Sequence, residues 1–137
     1  MAKQTFQEAV KQALSASPTE AEAKYEEKYE ALKLLAFSIQ QWFSKKRKSP
    51  VEVFVEPGYQ IDVGQQFNMV LQIAGKGIRD TLFRAYLSPD GKVSFDFYGE
   101  ELIACDTVED MQTAVETFLS KPEVRSRMRV YKDLLTS

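Results

Sequence analysis

Residues 67–97 carry the clearest periodicity in the chain and read FNMVLQIAGKGIRDTLFRAYLSPDGKVSFDF. Apolar and polar side chains alternate along three runs, and glycine-containing segments separate one run from the next. Such alternation is typical of strands with one buried face, and connections this short allow only antiparallel pairing. Residues 88–91 also have the composition of a type I turn followed by a left-handed glycine. The region therefore predicts three consecutive strands of an antiparallel meander.

The strand registers follow because side chains paired across two strands must point to the same face of the sheet. Three-residue loops at 75–77 and 89–91 meet this requirement. The core face predicted in this way carries Phe67, Met69, Leu71, Phe83, Phe95 and Phe97. On the opposite face, the predicted rows are Val70 with Leu82 and Tyr98, then Asn68 with Arg84 and Asp96, followed by Tyr86.

A fourth strand is predicted upstream, where residues 51–56 alternate in the same way. Pro57-Gly58 predicts the turn that follows this strand. Downstream of the sheet, residues 102–104 are apolar, but the segment is too short for its type to be assigned. The sheet is therefore predicted to contain four strands.

Helical periodicity occurs on both sides of the predicted sheet. Residues 3–15 predict a short amphipathic helix, and residues 19–46 predict a long one that Ser17 caps. Residues after Thr107 and residues 122–135 predict two further helices. The apolar stripe of the long helix comprises Tyr25, Tyr29, Leu32, Leu35, Ile39 and Trp42. Because this helix, at about 40 Å, exceeds a typical strand of about 20 Å, one end of its stripe needs additional apolar surface.

These elements predict an α+β fold, with a four-stranded antiparallel β-meander preceded by two helices and followed by two. The chain of 137 residues is expected to form a single domain. Its N-terminal helical part covers residues 1–50, the sheet covers 51–106 and the C-terminal helical part covers 107–137.

Composition excludes several kinds of chemistry. The chain has no histidine and one cysteine, Cys105, so histidine-based triads and the usual zinc sites cannot form within it. We predict no catalytic residue, no cofactor and no metal site, and we read Cys105 as a small buried core residue. No stretch is long and apolar enough for a transmembrane helix. The single cysteine favours a reducing compartment, so we expect a soluble cytoplasmic protein.

Two groups of residues are candidate binding sites. The first is a protein interface on the mixed outer face of the sheet, formed by Val70, Leu82, Arg84, Tyr86 and Tyr98. The second is an anion contact formed by Lys45, Lys46, Arg47 and Lys48, which follow two aromatic residues. The alternative interpretation of this basic run is that cations are favourable at the C-terminus of a helix.

The function predicted from these features is that of a small non-enzymatic interaction or accessory protein that self-associates, most simply as a two-fold homodimer. One alternative is a small-ligand-binding protein or enzyme that uses carboxylates and tyrosines in a cleft between sheet and helices. A second alternative is a nucleic-acid or anionic-surface binder that uses the basic run. Residues 51–106 contain four basic against nine acidic residues, which disfavours nucleic acid as a partner.

Overall fold

The computed structural model describes residues 5–44, 49–99 and 101–135. Within these ranges the chain forms four helices and one antiparallel sheet, as expected for an α+β fold, but the sheet has five strands rather than four. In chain order, the elements are α1 (Phe6–Ser15), α2 (Glu20–Phe43), β1 (Val51–Ile61), β2 (Gly64–Ile73), β3 (Ile78–Leu87), β4 (Val93–Asp96), β5 (Ile103–Cys105), α3 (Val108–Leu119) and α4 (Pro122–Leu134). Spatial strand order equals chain order, so the sheet is a meander.

The fifth strand, Ile103–Cys105, overlaps the apolar segment 102–104 whose type could not be assigned from sequence. In β5, Cys105 pairs with Val93 and Ile103 pairs with Phe95 of β4. Three residues are too few to show a period, so local sequence carries no strand signal here. The strand forms because β4 offers an unpaired edge whose backbone groups require hydrogen-bond partners.

The predicted turn at Pro57-Gly58 is wrong. β1 continues to Ile61, pairs there with Gly64 of β2, and leaves Asp62 and Val63 as the two connecting residues. The register of the pair shifts between Pro57 and Gln60. Proline cannot donate a hydrogen bond to a neighbouring strand, and a bulge accommodates it without ending the pairing.

The register between β2 and β3 follows the prediction only in part. Met69 pairs with Phe83 as expected, but Val70 pairs with Thr81, so a bulge leaves Leu82 as an extra residue. The loop consequently spans four residues, 74–77, instead of three. A bulge sets two residues against one, and Leu82 joins the hydrophobic core with no exposed surface. The predicted row of Val70, Leu82 and Tyr98 is therefore not formed.

The hairpin between β3 and β4 has the predicted register, with Arg84 opposite Asp96 and Ala85 opposite Phe95. Its turn closes on Ser88, whose hydroxyl oxygen accepts from the Lys92 amide at 3.1 Å. Gly91 has a left-handed φ of +85°, as the turn composition predicts.

The long helix α2 is shorter than predicted and begins at a different cap. Thr19, not Ser17, caps it, since the Thr19 hydroxyl accepts from the Glu22 amide at 3.2 Å. The helix ends at Phe43, and residues 45–48 lie outside the described ranges. None of the described helices has both the length and the apolar character needed to cross a bilayer.

The core lies between one face of the sheet and helices α2, α3 and α4. Its centre is Phe83, which is fully buried and has the rings of Phe95, Phe97 and Phe118 around it. Phe118 of α3 also stacks on Phe97, with ring centroids 4.6 Å apart. Of the six residues predicted for the core face, five are buried and Phe97 is partly buried against them.

Candidate functional site

The predicted interface on the outer sheet face is only partly assembled. Arg84 and Tyr98 lie together, with the Arg84 guanidinium 5.9 Å from the centre of the Tyr98 ring. Tyr86 is half-buried on the same strand as Arg84, whereas Val70 is only 1% exposed and Leu82 belongs to the core. Two of the five residues therefore offer almost no surface to a partner.

Tyr98 is held in place by interactions within the chain. Its hydroxyl donates to the Thr81 carbonyl oxygen at 3.0 Å, and its amide donates to Asp96 Oδ1 at 2.8 Å. Its φ of +63° lies in the left-handed region, where a residue other than glycine is strained. Tyr98 therefore has a structural role: its hydroxyl pairs with a carbonyl of β3 in the part of that strand that extends beyond the end of β4.

The second predicted site, Lys45, Lys46, Arg47 and Lys48, lies outside the described residues. The described part of α2 has no basic residue in its last turn. The anion contact therefore stays a prediction from sequence.

A tyrosine and a carboxylate do meet where α4 lies against the sheet. The Tyr131 hydroxyl donates to Asp80 Oδ2 at 2.6 Å, and Arg127 Nε lies 3.7 Å from the same oxygen. Burial and the hydrogen bond to Asp80 raise the pKa of Tyr131 to about 12. The phenol is therefore protonated at neutral pH, and it anchors α4 to β3 as a donor rather than serving as a base.

Replacing Tyr131 with phenylalanine should lower stability near neutral pH by about 1–2 kcal/mol, because the Asp80 carboxylate loses a donor. The pKa of Tyr131 is about 12 in the folded chain against an ordinary value of 10.0. The phenol thus makes its full contribution to the free energy of unfolding below pH 10, and this contribution disappears as the pH rises to 12. Urea titrations at pH 8 and pH 11 should show a smaller alkaline loss for Tyr131→Phe than for the wild type. Equal losses in the two proteins would contradict this assignment.

Cys105 is buried, as predicted. Burial, together with Asp110 and Asp106, raises the pKa of its thiol to about 11. A neutral buried thiol is a poor nucleophile, so the environment of Cys105 fits a packing role.

A groove, which we call the helical groove, lies between α2, α3 and α4. Its volume is about 730 Å³. The apolar lining consists of Leu35, Ile39, Trp42, Val115, Leu119 and Met128. The polar lining consists of Ser38, Gln112, Glu116, Ser120, Arg125 and Arg129. An apolar floor with polar groups along its sides is typical of a binding site.

Sequence reasoning did not find the helical groove, because its apolar residues also fit the core stripes of three separate helices. One sequence feature did indicate an additional apolar surface: the long helix is predicted to be too long for the sheet to cover its whole apolar stripe. In the structure, the C-terminal end of this stripe meets the terminal helices, and Trp42 remains 46% exposed there. The Lys132 ammonium lies 4.2 Å from the centre of the Trp42 ring, which links α4 to the end of α2.

Helix α1 has the form predicted for it, but no part of it is buried. Its apolar stripe is exposed along its whole length: Phe6 is 94% exposed, Val10 56% and Leu14 83%. A capping box between Thr5 and Glu8 stabilises its first turn. Within the described residues, α1 is thus an amphipathic helix whose apolar face contacts solvent.

Comparisons with known proteins assign no family. No protein-family model, no curated protein and no solved structure matches the chain. The candidate surfaces are therefore described by their own geometry: an apolar groove on the helical side, a mixed outer sheet face and an exposed stripe on α1.

Proposed function

We propose that this protein is a non-enzymatic interaction protein that binds an amphipathic helix in the helical groove. The observation that carries the proposal is the apolar floor of this groove, which stays open between three helices of the core. An amphipathic helix that lays its apolar face into such a groove is a recurrent mode of recognition between proteins.

Trp42 is the expected energetic centre of the site. It is half-exposed at the end of α2, beside the buried Phe43 ring at a centroid distance of 4.9 Å. Large aromatic side chains contribute strongly to binding when a partner covers them and excludes water. The edge-on contact with Phe43 and the Lys132 ammonium over the indole hold the ring in position before a partner arrives.

Charge along the groove restricts which helices fit. Glu116 of α3 lies on one side, and Arg125 and Arg129 of α4 line the groove as well. None of the ion pairs among the described residues involves these three side chains. A fitting helix has a cation beside its apolar stripe to meet Glu116, and small or acidic residues where it faces the two arginines.

The alternatives raised by the sequence receive less support from the described residues. The Tyr131 hydroxyl donates its hydrogen bond to Asp80, which favours an anchoring role over substrate chemistry. The basic run of residues 45–48 lies outside the described ranges. The single cysteine supports placing the protein in a reducing compartment such as the cytoplasm.

A displayed library of helical peptides with apolar residues spaced four apart tests the groove without a known partner. We expect the protein to select peptides from it, and Trp42→Ala to weaken their binding at least tenfold. The matched control is Tyr59→Ala, because Tyr59 is an aromatic residue that is 83% exposed on β1, away from the groove. Selected peptides that bind Trp42→Ala and wild type equally would overturn the proposal, as would a library from which neither the wild type nor the variant Phe6→Ser/Leu14→Ser, which lacks the exposed stripe of α1, selects a binder.

A further inference from the structure

We propose that the helix bound in the helical groove is α1 of a second copy of this chain, so that two copies exchange their α1 helices in a two-fold dimer. This inference rests on the proposed helix-binding function of the groove and names its partner. It also accounts for two surfaces at once, since the exposed stripe of α1 and the open groove would cover each other.

The dimensions of the two surfaces agree. Phe6, Val10 and Leu14 are spaced four residues apart, so they lie on one face of α1 and span about 12 Å along its axis. On the α2 side, the groove extends from Leu35 to Trp42, about 10 Å. One face of α1 therefore covers the length of the groove without a large overhang.

The residues beside the α1 stripe fit the groove's charges. At 100° per residue, Lys11 lies on one flank of the stripe, while the small residues Ala9 and Ala13 lie on the other. Lys11 can therefore meet Glu116 of α3, and the alanine flank leaves room for the long side chains of α4. Glu8, in the capping box, lies on the back of the helix and stays in solvent.

The chain's own α1 cannot occupy the groove along its whole stripe. The segment between Ser15 and Glu20 reaches at most about 17 Å when fully extended. The groove begins at Leu35, fifteen residues along α2 from Glu20 and about 22 Å away. Leu14 would therefore fall short of the groove, whereas a second copy supplies α1 without this restriction.

The area available is sufficient for a dimer. Stable interfaces bury about 1,200–2,000 Å² in total, and reciprocal exchange forms the same contact twice. Each contact then needs about half of that area, to which Phe6, 94% exposed on α1, contributes about 150–250 Å² and Trp42, 46% exposed, about half as much. Leu34 adds apolar surface at the edge of the groove, since it is 65% exposed and lies one helical turn before the groove residue Ser38.

The test is the mass of the full chain in solution, measured by light scattering across micromolar concentrations. We expect the wild type to approach twice the 15.7 kDa of one chain. The double variant Phe6→Ser/Leu14→Ser and the groove variant Trp42→Glu should each weaken dimerisation at least tenfold. Neither α1 nor the exposed edge of Trp42 belongs to the core, so circular dichroism should show that both variants remain folded.

Two further measurements are specific for α1 in the groove. A mixture of the two variants should associate more strongly than either variant alone, because the heterodimer keeps one intact α1–groove contact and neither variant alone keeps any. Lys11→Glu and Glu116→Lys should each weaken the dimer, and their combination should restore it. A dimer that survives Phe6→Ser/Leu14→Ser, or a mixture that associates no more strongly than either variant alone, would overturn the inference.

The outcomes also separate this inference from the proposed function. A wild-type monomer whose groove still captures library peptides through Trp42 would refute α1 exchange and leave the helix-binding groove intact. A monomer destabilised by Phe6→Ser/Leu14→Ser would indicate that α1 packs within its own chain, and would likewise refute exchange. Failure of peptide capture by the α1 double variant, in which the groove is vacant, would instead refute the groove itself.

Discussion

Replacing Phe83 with alanine should lower the free energy of unfolding by about 3–5 kcal/mol, as expected when a buried aromatic side chain is truncated. Phe83 has no exposed surface, and the ring centroids of Phe95, Phe97 and Phe118 lie 5.7, 5.3 and 5.6 Å from its own. Phe95 belongs to β4, Phe97 follows the end of that strand, and Phe118 belongs to α3. The cavity left by the substitution would therefore separate two layers of the core, and neighbouring side chains could fill it only by leaving their own contacts.

Denaturant titration measures this loss directly, and Phe54→Ala is the matched control. Phe54 is also a phenylalanine in the sheet, but it lies half-buried on the opposite face, with the Arg79 guanidinium 5.7 Å from its ring centre. We expect its truncation to cost less than half as much as that of Phe83. A loss below about 1 kcal/mol for Phe83→Ala would mean that the two faces of the sheet are assigned the wrong way round.

Gly91→Ala should have the second large effect, a loss of about 2–5 kcal/mol from two causes that act together. The first is the left-handed backbone, since φ at Gly91 is +85°. The second is the close approach of α2: a Cβ at Gly91 would lie 2.5 Å from the Lys24 Cβ and 3.0 Å from the Tyr25 backbone nitrogen. This steric clash can be relieved only if the backbone of α2 moves, because it involves main-chain atoms as well as a side chain.

Gly75→Ala separates the two causes. Gly75 has a nearly equal φ of +78°, but no described atom lies within 4 Å of a Cβ placed there. Gly75→Ala should therefore lower stability only by the cost of placing alanine in the left-handed conformation, about 1–2 kcal/mol. The difference between the two variants in thermal or chemical unfolding measures how tightly the β3–β4 turn contacts α2. Equal losses would show that α2 yields to the added methyl group without cost.

Gly91 shows which structural features local sequence can predict and which it cannot. Its place after Ser88-Pro89-Asp90 predicts the left-handed turn, because only residues a few positions apart are involved. The contact with Lys24 cannot be predicted from local sequence, since Lys24 is far away in the chain and belongs to another element. The same contrast holds for the candidate site: the sequence predicts α2, α3 and α4 as helices, but it does not predict the groove between them.

Alternation with period two and the spacing of helical stripes determined the order of the elements, the hairpin from β3 to β4 and most of the buried face, because each of these depends on near neighbours in the chain. Only the tertiary structure decided the position of Leu82, the pairing of β5 and the opening of the helical groove. A bulge places Leu82 in the core. Residues 103–105 pair with the free edge of β4. The packing of α3 and α4 leaves Trp42 half-exposed. Each of these outcomes depends on how elements distant in sequence share one core and one set of backbone hydrogen bonds.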